Sequence, residues 1–268
     1  MTTTRMTPTA TPQERRARIA EAVRQTGFVK IETLAAQFEV TEQTIRRDVN
    51  ALCDEGILRR RHGGVEPPMG RENLPYDNRK VLNLPEKQLI ASLVAARIPD
   101  GASLFFSIGT TPELVAQALD RHTALRVFTN NLNVAAACCG NPTFEVTIVG
   151  GRLRNRYRDV VGHEVNQFFS QYKVDFGIFG VGGIDTEGGL LDFAEEEVRA
   201  RETILANCRC SILIADHTKF GRNAVVRGGS ITDVDVFCTD QPLAPAMARR
   251  LEQAGVEVLV AGQRLTAS

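Results

Sequence analysis

The chain has 268 residues, 43% of them hydrophobic and 24% charged, a composition that excludes fibrous, collagenous and wholly disordered proteins and leaves room for two domains. Its 32 Lys+Arg balance 32 Asp+Glu, yet five basic residues fall between Arg46 and Arg61, a local cluster suited to phosphate contact. No apolar run approaches the ~20 residues of a membrane helix and the opening stretch lacks the apolar core of a secretory signal, so a cytoplasmic protein with no membrane partner is expected.

Residues 1–12 are rich in Thr and Pro and predict a disordered tail, because nothing there offsets the entropy of ordering. From Gln13 the pattern turns helical, with Ile19, Ala22 and Val23 on one face, and stops at Gly27. A second short helix carries Leu34, Ala35 and Phe38. Thr41 is placed to cap a third, in which Ile45, Val49 and Leu52 form an apolar stripe and which ends near Gly56. Residues 57–65 then read as two extended pieces around Gly63 and Gly64, glycines that permit positive φ. Three helices and a basic hairpin predict a winged helix-turn-helix over residues 13–65.

On the third helix Gln43, Thr44 and Arg47 share the face opposite the apolar stripe. Arg46 and Arg47 suit phosphates or guanine edges, Gln43 suits adenine, and Arg59, Arg60 and Arg61 suit the flanking backbone. With Thr41 and His62 these residues form the expected contact set for double-stranded DNA. A charged helix face taken alone is as readily a merely solvated one; the whole constellation carries the reading. Asp48 either orients the neighbouring arginines in a local ion pair or sits solvated near the helix start.

Residues 66–85 contain four prolines and few apolar residues, and predict a linker. Over residues 86–262, extended runs (103–106, 125–128, 144–149, 174–179, 211–215, 234–238, 256–260) alternate for the most part with helical stretches near 112–119, 132–139, 195–207 and 243–254. That alternation predicts an α/β domain with a largely parallel sheet, whose loops gather at the carboxyl edge of the strands. Five polar loops carry Ser107, Gly109, Thr110, Thr111, Asn130, Asn131, Gly151, Gly182, Gly183, Asp185 and Lys219 there. Gly109, Thr110 and Thr111 lead into a helix near Pro112 and suit a phosphate, with Lys219 adding positive charge. Glu197, on the helix near 195, completes the candidate set. No phosphate-binding loop of the G-x-x-x-x-G-K-[ST] type occurs and GVGGID lacks the third glycine of G-x-G-x-x-G, so neither a nucleotide triphosphatase nor a dinucleotide enzyme is expected, and no cofactor. Six cysteines without a C-x-x-C read as reduced, buried thiols, and four scattered histidines predict no metal site.

The stretch TEQTIRRDVNALCDEGILRRRHGGV resembles the helix-turn-helix and wing of the DeoR family of bacterial repressors, whose pattern is S-x-x-T-I-R-R-D-L-x-x-L followed by a basic strand and H-G-G. Thr41 replaces the usual Ser, and Lys30 stands where a polar cap of the second helix is usual, which predicts slight fraying there. The segments GTTPELVAQAL, TNNLNVA, VDFGIFGVGGID, EEVRARETI and DHTKFGRNAVV resemble the family's effector domain, related in fold to ribose 5-phosphate isomerase. The resemblance runs from residue 13 to about 260 and implies a transcriptional repressor without catalytic residues, acting as a homodimer or homotetramer. It also implies glycerol 3-phosphate as effector, with Gly109, Thr110, Thr111 and Lys219 on the phosphate and Asn130, Asn131, Asp185 and Glu197 toward the hydroxyl end. Ser107 replaces a common Asp, and Arg201 a usual Lys. Three alternatives stay open: another phosphosugar, activation in place of repression, and an isomerase or hydrolase using Asp216, His217, Lys219 or Glu197 as acid and base.

Overall fold

The computed structural model describes residues 11–54, 57–66 and 73–262; the chain divides into one unit up to Gly70 and a second from Arg71. The expected tail lies outside the described residues up to position 10. Residues 11 and 12 do not belong to it. Thr11 caps helix α1 (Pro12–Thr26) through a reciprocal pair of bonds, its hydroxyl accepting from the Glu14 N–H at 3.3 Å and its own N–H donating to the Glu14 carboxylate at 2.8 Å. Pro12 follows in the first turn, where a missing N–H costs nothing.

After β1 (Val29–Lys30), α2 (Ile31–Gln37) and α3 (Glu42–Asp54) come β2 (Arg59–Arg61) and β3 (Gly64–Glu66), which pair in the order β1-β3-β2. Ile19, Leu34, Ile45 and Val65 are fully enclosed and hold the helices on the hairpin. Lys30 provides no side-chain cap for α2; the Ile31 N–H instead donates to the Gly63 carbonyl at 3.2 Å. The two hairpin glycines serve different needs. Gly63 takes φ +77°, whereas a Cβ on Gly64 would sit 2.3 Å from the Val29 carbonyl oxygen. The expected end of α3 near Gly56 falls outside the described residues.

Asp48 corrects a sequence expectation. It is 2% exposed and pairs with Arg15 at 2.6 Å and Arg16 at 3.2 Å, both on α1, not with its neighbours Arg46 and Arg47. A buried carboxylate takes the cations that packing brings to it, and helix rotation points Asp48 inward, away from the outward-facing arginines. Asp48→Ala removes the buried carboxylate shared by Arg15 and Arg16 and is expected to lower the stability of this unit by about 3 kcal/mol, read as a lowered urea midpoint.

The second unit begins inside the expected linker. Residues 76–81 form α4 (Tyr76–Val81), Asn83 turns the chain at φ 51°, and α5 (Leu84–Ala95) follows with Pro85 in its first turn. The break therefore lies just before the proline. This segment is held because Tyr76 is buried and donates to the Glu113 carboxylate at 2.5 Å.

The remaining elements are β4 (Ser103–Phe106), α6 (Thr110–Ala118), β5 (Arg126–Thr129), α7 (Leu132–Cys138), β6 (Glu145–Ile148), β7 (Arg152–Arg154), β8 (Asp159–Val161), α8 (His163–Ser170), β9 (Val174–Phe179), β10 (Gly183–Ile184), β11 (Gly189–Asp192), α9 (Glu195–Ala206), β12 (Cys208–Ile214), β13 (Val226–Ser230), β14 (Val236–Thr239), α10 (Pro245–Ala254) and β15 (Glu257–Val260). All seven expected runs enter one parallel sheet ordered β15-β14-β12-β9-β4-β5-β6. Alternation along its strands feeds two cores. Leu104, Phe106, Ile212 and Ile214 face one side with residues of α5, α6 and α7; Phe105, Leu213 and Phe237 face the other with residues of α8, α9 and α10. Each such aliphatic or aromatic side chain, fully buried, contributes about 1.5–3 kcal/mol.

Helix α8, the hairpin β7–β8 and the antiparallel sheet β10-β11-β13 were not foreseen. The strands of the last two are short, and GVGGID and GGRLR read as loops. Burial raises the thiols of Cys138 and Cys238 to about 12 and that of Cys208 to about 11, while Cys139 is exposed, against the expectation of burial. Among the described residues no helix is long and apolar enough to cross a membrane.

Candidate functional site

Each unit presents one candidate surface. On the N-terminal unit Thr41 caps α3 by accepting from the Thr44 N–H at 3.2 Å, and Gln43, Arg46 and Arg47 are exposed on the side opposite Ile45 and Val49. Arg46 pairs with Glu42 at 3.0 Å, whereas Arg47 has no hydrogen bond or ion pair among the described residues. The wing is less freely cationic than its sequence suggests. Arg59 and Arg61 point to one face of β2 and both bind Glu66, Arg59 directly across the ladder and Arg61 at 3.1 Å; these bonds, that of Arg59 first, hold the Glu66 carboxyl below its ordinary range. Arg60 faces the other way, 3.9 Å from Asp54. His62 is exposed in the turn. Glu66, one residue beyond the expected wing, went unnoticed because only the register shows it opposite Arg59.

In the α/β unit the strand order reverses between β4 and β9, and a cleft opens at their carboxyl ends, where α/β sheets bind ligands. Its floor is the β4–α6 turn. Gly109, at φ +133°, turns the backbone so that the first amides of α6 open toward the cleft, and a Cβ there would meet Pro112 at 3.0 Å. Of the expected residues, Gly109, Thr110, Thr111, Gly182, Glu197 and Lys219 line the cleft.

The others are near it in sequence but occupied elsewhere. Ser107 is buried and donates its N–H to the Ile178 carbonyl at 3.0 Å. Asn131 caps α7, accepting from the Asn133 N–H at 2.9 Å, and donates to the Gly109 carbonyl at 3.3 Å. Asn130 donates to the Val160 carbonyl at 2.9 Å, although its own carbonyl oxygen is buried without a partner among the described residues. Asp185 corrects an expectation. Its carboxylate accepts from the Gly189 N–H at 2.7 Å and pairs with Arg227 at 2.8 Å, closing the β10–β11 turn. Gly151 and Gly183 are also absent from the lining; a Cβ at Gly183 would meet the Arg222 carbonyl oxygen at 2.1 Å, so this glycine serves packing.

The charges in the cleft are unequal in their pairing. Arg154 reaches Asp159 at 2.5 Å and Glu197 at 2.9 Å; burial works against its charge, yet these two carboxylates hold it above its ordinary value. Burial pushes the Glu197 carboxyl up against the pull of Arg154. Asp192 binds Arg201, 1% exposed, at 2.8 Å and accepts from the Gly182 N–H at 2.7 Å. The lining carboxylates are thus all paired. The Lys219 side chain makes no hydrogen bond or ion pair among the described residues, and its ammonium is held well below the ordinary lysine range by burial and then by the charge of Arg222, with Lys87 and Arg79 adding to the repulsion and Asp216 opposing it. Arg79, a second lining cation that the sequence reading placed in a linker, donates only its Nε, to the Leu74 carbonyl at 3.1 Å. The cleft therefore offers two cations with unbonded donors among the described residues beside a helix N-terminus, an arrangement that attracts a small anion.

Residues 15–68 match the family model described as the DeoR-like helix-turn-helix domain, and residues 82–241 match the DeoR C terminal sensor domain. The chain belongs to the DeoR family. Among curated DeoR relatives, the glycerol-3-phosphate regulon repressor of Escherichia coli is 46% identical over 224 residues, covering 84% of this chain and 89% of that protein. The protein of the same name from Haemophilus influenzae is 44% identical over 229 residues, covering 85% and 89%. The transcriptional repressor CsqR of Escherichia coli is 36% identical, covering 87% and 90%. Among solved structures, ribose 5-phosphate isomerase A of Methanocaldococcus jannaschii aligns with a TM-score of 0.38 at 13% identity over 52% of this chain and 55% of that one, a likeness too loose to carry an argument about activity.

Proposed function

We propose that the protein is a DNA-binding transcriptional repressor of glycerol 3-phosphate metabolism that leaves its operator when glycerol 3-phosphate fills the cleft. The observation that carries this reading is the pairing of charges in the cleft: among the described residues the Lys219 ammonium and the terminal nitrogens of Arg79 have no acceptor, while the carboxylates beside them are committed to Arg154 and Arg201. A phosphate monoester supplies the missing acceptors at Lys219, Thr110, Thr111 and the amides of α6. Glu197 then remains within the same cleft as an acceptor for ligand hydroxyls. The names of the relatives in Escherichia coli and Haemophilus influenzae support glycerol 3-phosphate in particular.

Binding serves this site better than turnover. Proton transfer needs a carboxylate or imidazole free to exchange its proton, whereas the lining carboxylates face arginines and the His217 ring meets Asp240 at 2.6 Å. Release follows only if the ligand binds the DNA-incompetent arrangement more tightly. One recognition helix reads a few base pairs, so operator binding calls for a dimer or tetramer on repeated half-sites.

The test is a titration of the protein, bound to labelled DNA from upstream of glycerol-catabolic genes, with glycerol 3-phosphate and with ribose 5-phosphate as control. Selective release by glycerol 3-phosphate is expected. Tight DNA binding indifferent to it, but relieved by another phosphosugar, overturns the effector assignment and points to Ser107, whose hydroxyl stands where the family commonly has a carboxylate.

A further inference from the structure

The wing carries three arginines in succession, and the fold gives them different surroundings. Side chains alternate across β2, so Arg59 and Arg61 share one face while Arg60 takes the other, 3.9 Å from Asp54 at the end of α3. β3 returns antiparallel, and its register sets Glu66 opposite Arg59. Both oxygens of that carboxylate are engaged. Oε1 accepts from Arg59 Nε at 2.9 Å and from Nη2 of the same guanidinium, and Oε2 accepts from Arg61 Nη1 at 3.1 Å. The Arg61 guanidinium also lies over the Phe28 ring, 5.4 Å from its centre. The Glu66 side chain is 12% exposed and those of Arg59 and Arg61 are 52% and 63% exposed, so the acceptor is tucked beneath two outward-facing cations. A pair of arginines grips a phosphate group with the same kind of charge-assisted bonds. These bonds, that of Arg59 first, keep the Glu66 carboxyl below its ordinary range, so its negative charge persists at neutral pH.

We propose that Glu66 is a built-in phosphate mimic, which competes with the DNA backbone for Arg59 and Arg61 and so limits the sequence-independent grip of the wing. This rests on the reading of the wing arginines as backbone contacts. Two guanidinium charges less one carboxylate leave the trio with a single net positive charge. A phosphate that reaches either guanidinium must displace the carboxylate or lie beside it as a like charge, and both weaken the contact. Non-specific affinity comes from neutralising phosphates and releasing their counterions, so a wing neutralised from within supplies less of it. The Arg47 side chain on α3 has no such anion within bonding reach among the described residues. The charge available to DNA is thereby concentrated on the helix that faces the base edges, where sequence is read. A restrained backbone grip suits a regulator that must leave the many competing sites of a genome to reach its operator.

The experiment measures binding of the full chain, by anisotropy over a series of salt concentrations, to a labelled duplex of arbitrary sequence and to the labelled fragment from upstream of glycerol-catabolic genes. Glu66→Gln keeps the shape and one acceptor but not the charge. It is expected to bind the arbitrary duplex about five- to tenfold more tightly at about 0.1 M salt for each wing engaged, with the slope of log affinity against log salt steeper by about one. Glu66→Asp keeps the charge and is expected to stay near wild type. In an Arg59→Ala/Arg61→Ala background the Gln substitution is expected to gain nothing, because the cations it would release are gone, a dependence that a merely structural role does not produce. Affinity of Glu66→Gln equal to that of wild type overturns the proposal. So does a lower affinity, which makes the carboxylate a support for the arginines on DNA and not their competitor, and so does a gain that survives the loss of both arginines. If the Arg59→Ala/Arg61→Ala protein binds both duplexes as wild type does, the wing lies outside the interface and the proposal falls while α3 still carries the DNA reading. A wild-type protein that prefers the upstream fragment no more than the arbitrary duplex counts against the assigned regulon alone, since the effect of Glu66 is read on the arbitrary duplex.

Discussion

Lys219→Met is expected to leave operator binding at its wild-type strength and to raise the glycerol 3-phosphate concentration needed for release by about 100-fold. The side chain makes no bond among the described residues, so little structure depends on it. Its worth lies in the complex, where a charge-assisted bond to phosphate contributes about 1.5–3 kcal/mol, or roughly 10- to 150-fold in affinity. The direction of its titration adds a second readout. Burial and Arg222 depress the ammonium pKa in the folded protein, so the unfolded chain binds the proton more tightly. The resulting penalty on stability is present in full below the depressed value and fades as pH rises toward the ordinary lysine range, and Lys219→Met removes it. Phosphate binds the protonated amine and restores its pKa; effector affinity therefore falls as pH climbs through the depressed value. Anisotropy titrations of labelled operator at several pH values, on wild type and variant, decide the matter. Release of the variant at the wild-type effector concentration would remove Lys219 from the site.

Arg47→Ala has the largest expected effect on the other unit. Arg47 is exposed on α3 with no side-chain partner among the described residues, so its full charge is available to DNA. Its loss is expected to weaken operator binding by about tenfold or more and to reduce the slope of log affinity against log salt by about one for each recognition helix engaged, with effector affinity unchanged. Arg46→Ala is the informative comparison. Arg46 must first leave Glu42, 3.0 Å away, and its removal is expected to cost less. Unaltered DNA affinity and salt slope in Arg47→Ala would take this residue out of the interface.

Much of the fold was legible because its signals are local. Ser103–Phe106 and Val174–Phe179 coincide with β4 and β9, since parallel strands buried on both faces stand out as apolar runs between turn residues. The Thr41 cap and the Ile45, Val49 and Leu52 stripe marked α3 in the same way. Gly109, Thr110, Thr111 and Lys219 were legible as a group for a related reason: each follows a strand of one sheet, and a parallel sheet delivers such positions to one edge.

What escaped notice depends on partners far along the chain. Asp48 finds Arg15 and Arg16 more than thirty residues away. Asp185 and Asn131 are chemically fit to bind a polyol, yet turn amides and a helix start claim them first. Segment 73–83 reads as linker because it holds too few apolar residues for a core of its own; α6, Arg222 and Asp216 supply what it lacks, and so bring Arg79 to the cleft.

By itself, then, the sequence determined the two units, the parallel sheet, the recognition helix and the membership of the chain in its family, all of which rest on periodicity, caps and turn chemistry within a few residues. Only the tertiary structure decided which polar side chains remain free to act. A charged group in a folded protein is claimed by whichever opposite charge or amide the packing brings within about 3 Å. Here that leaves Arg47 uncommitted on one unit and Lys219 with Arg79 on the other, while Asp48, Glu66, Asp185 and Glu197 are held by arginines that the sequence places up to 43 residues away.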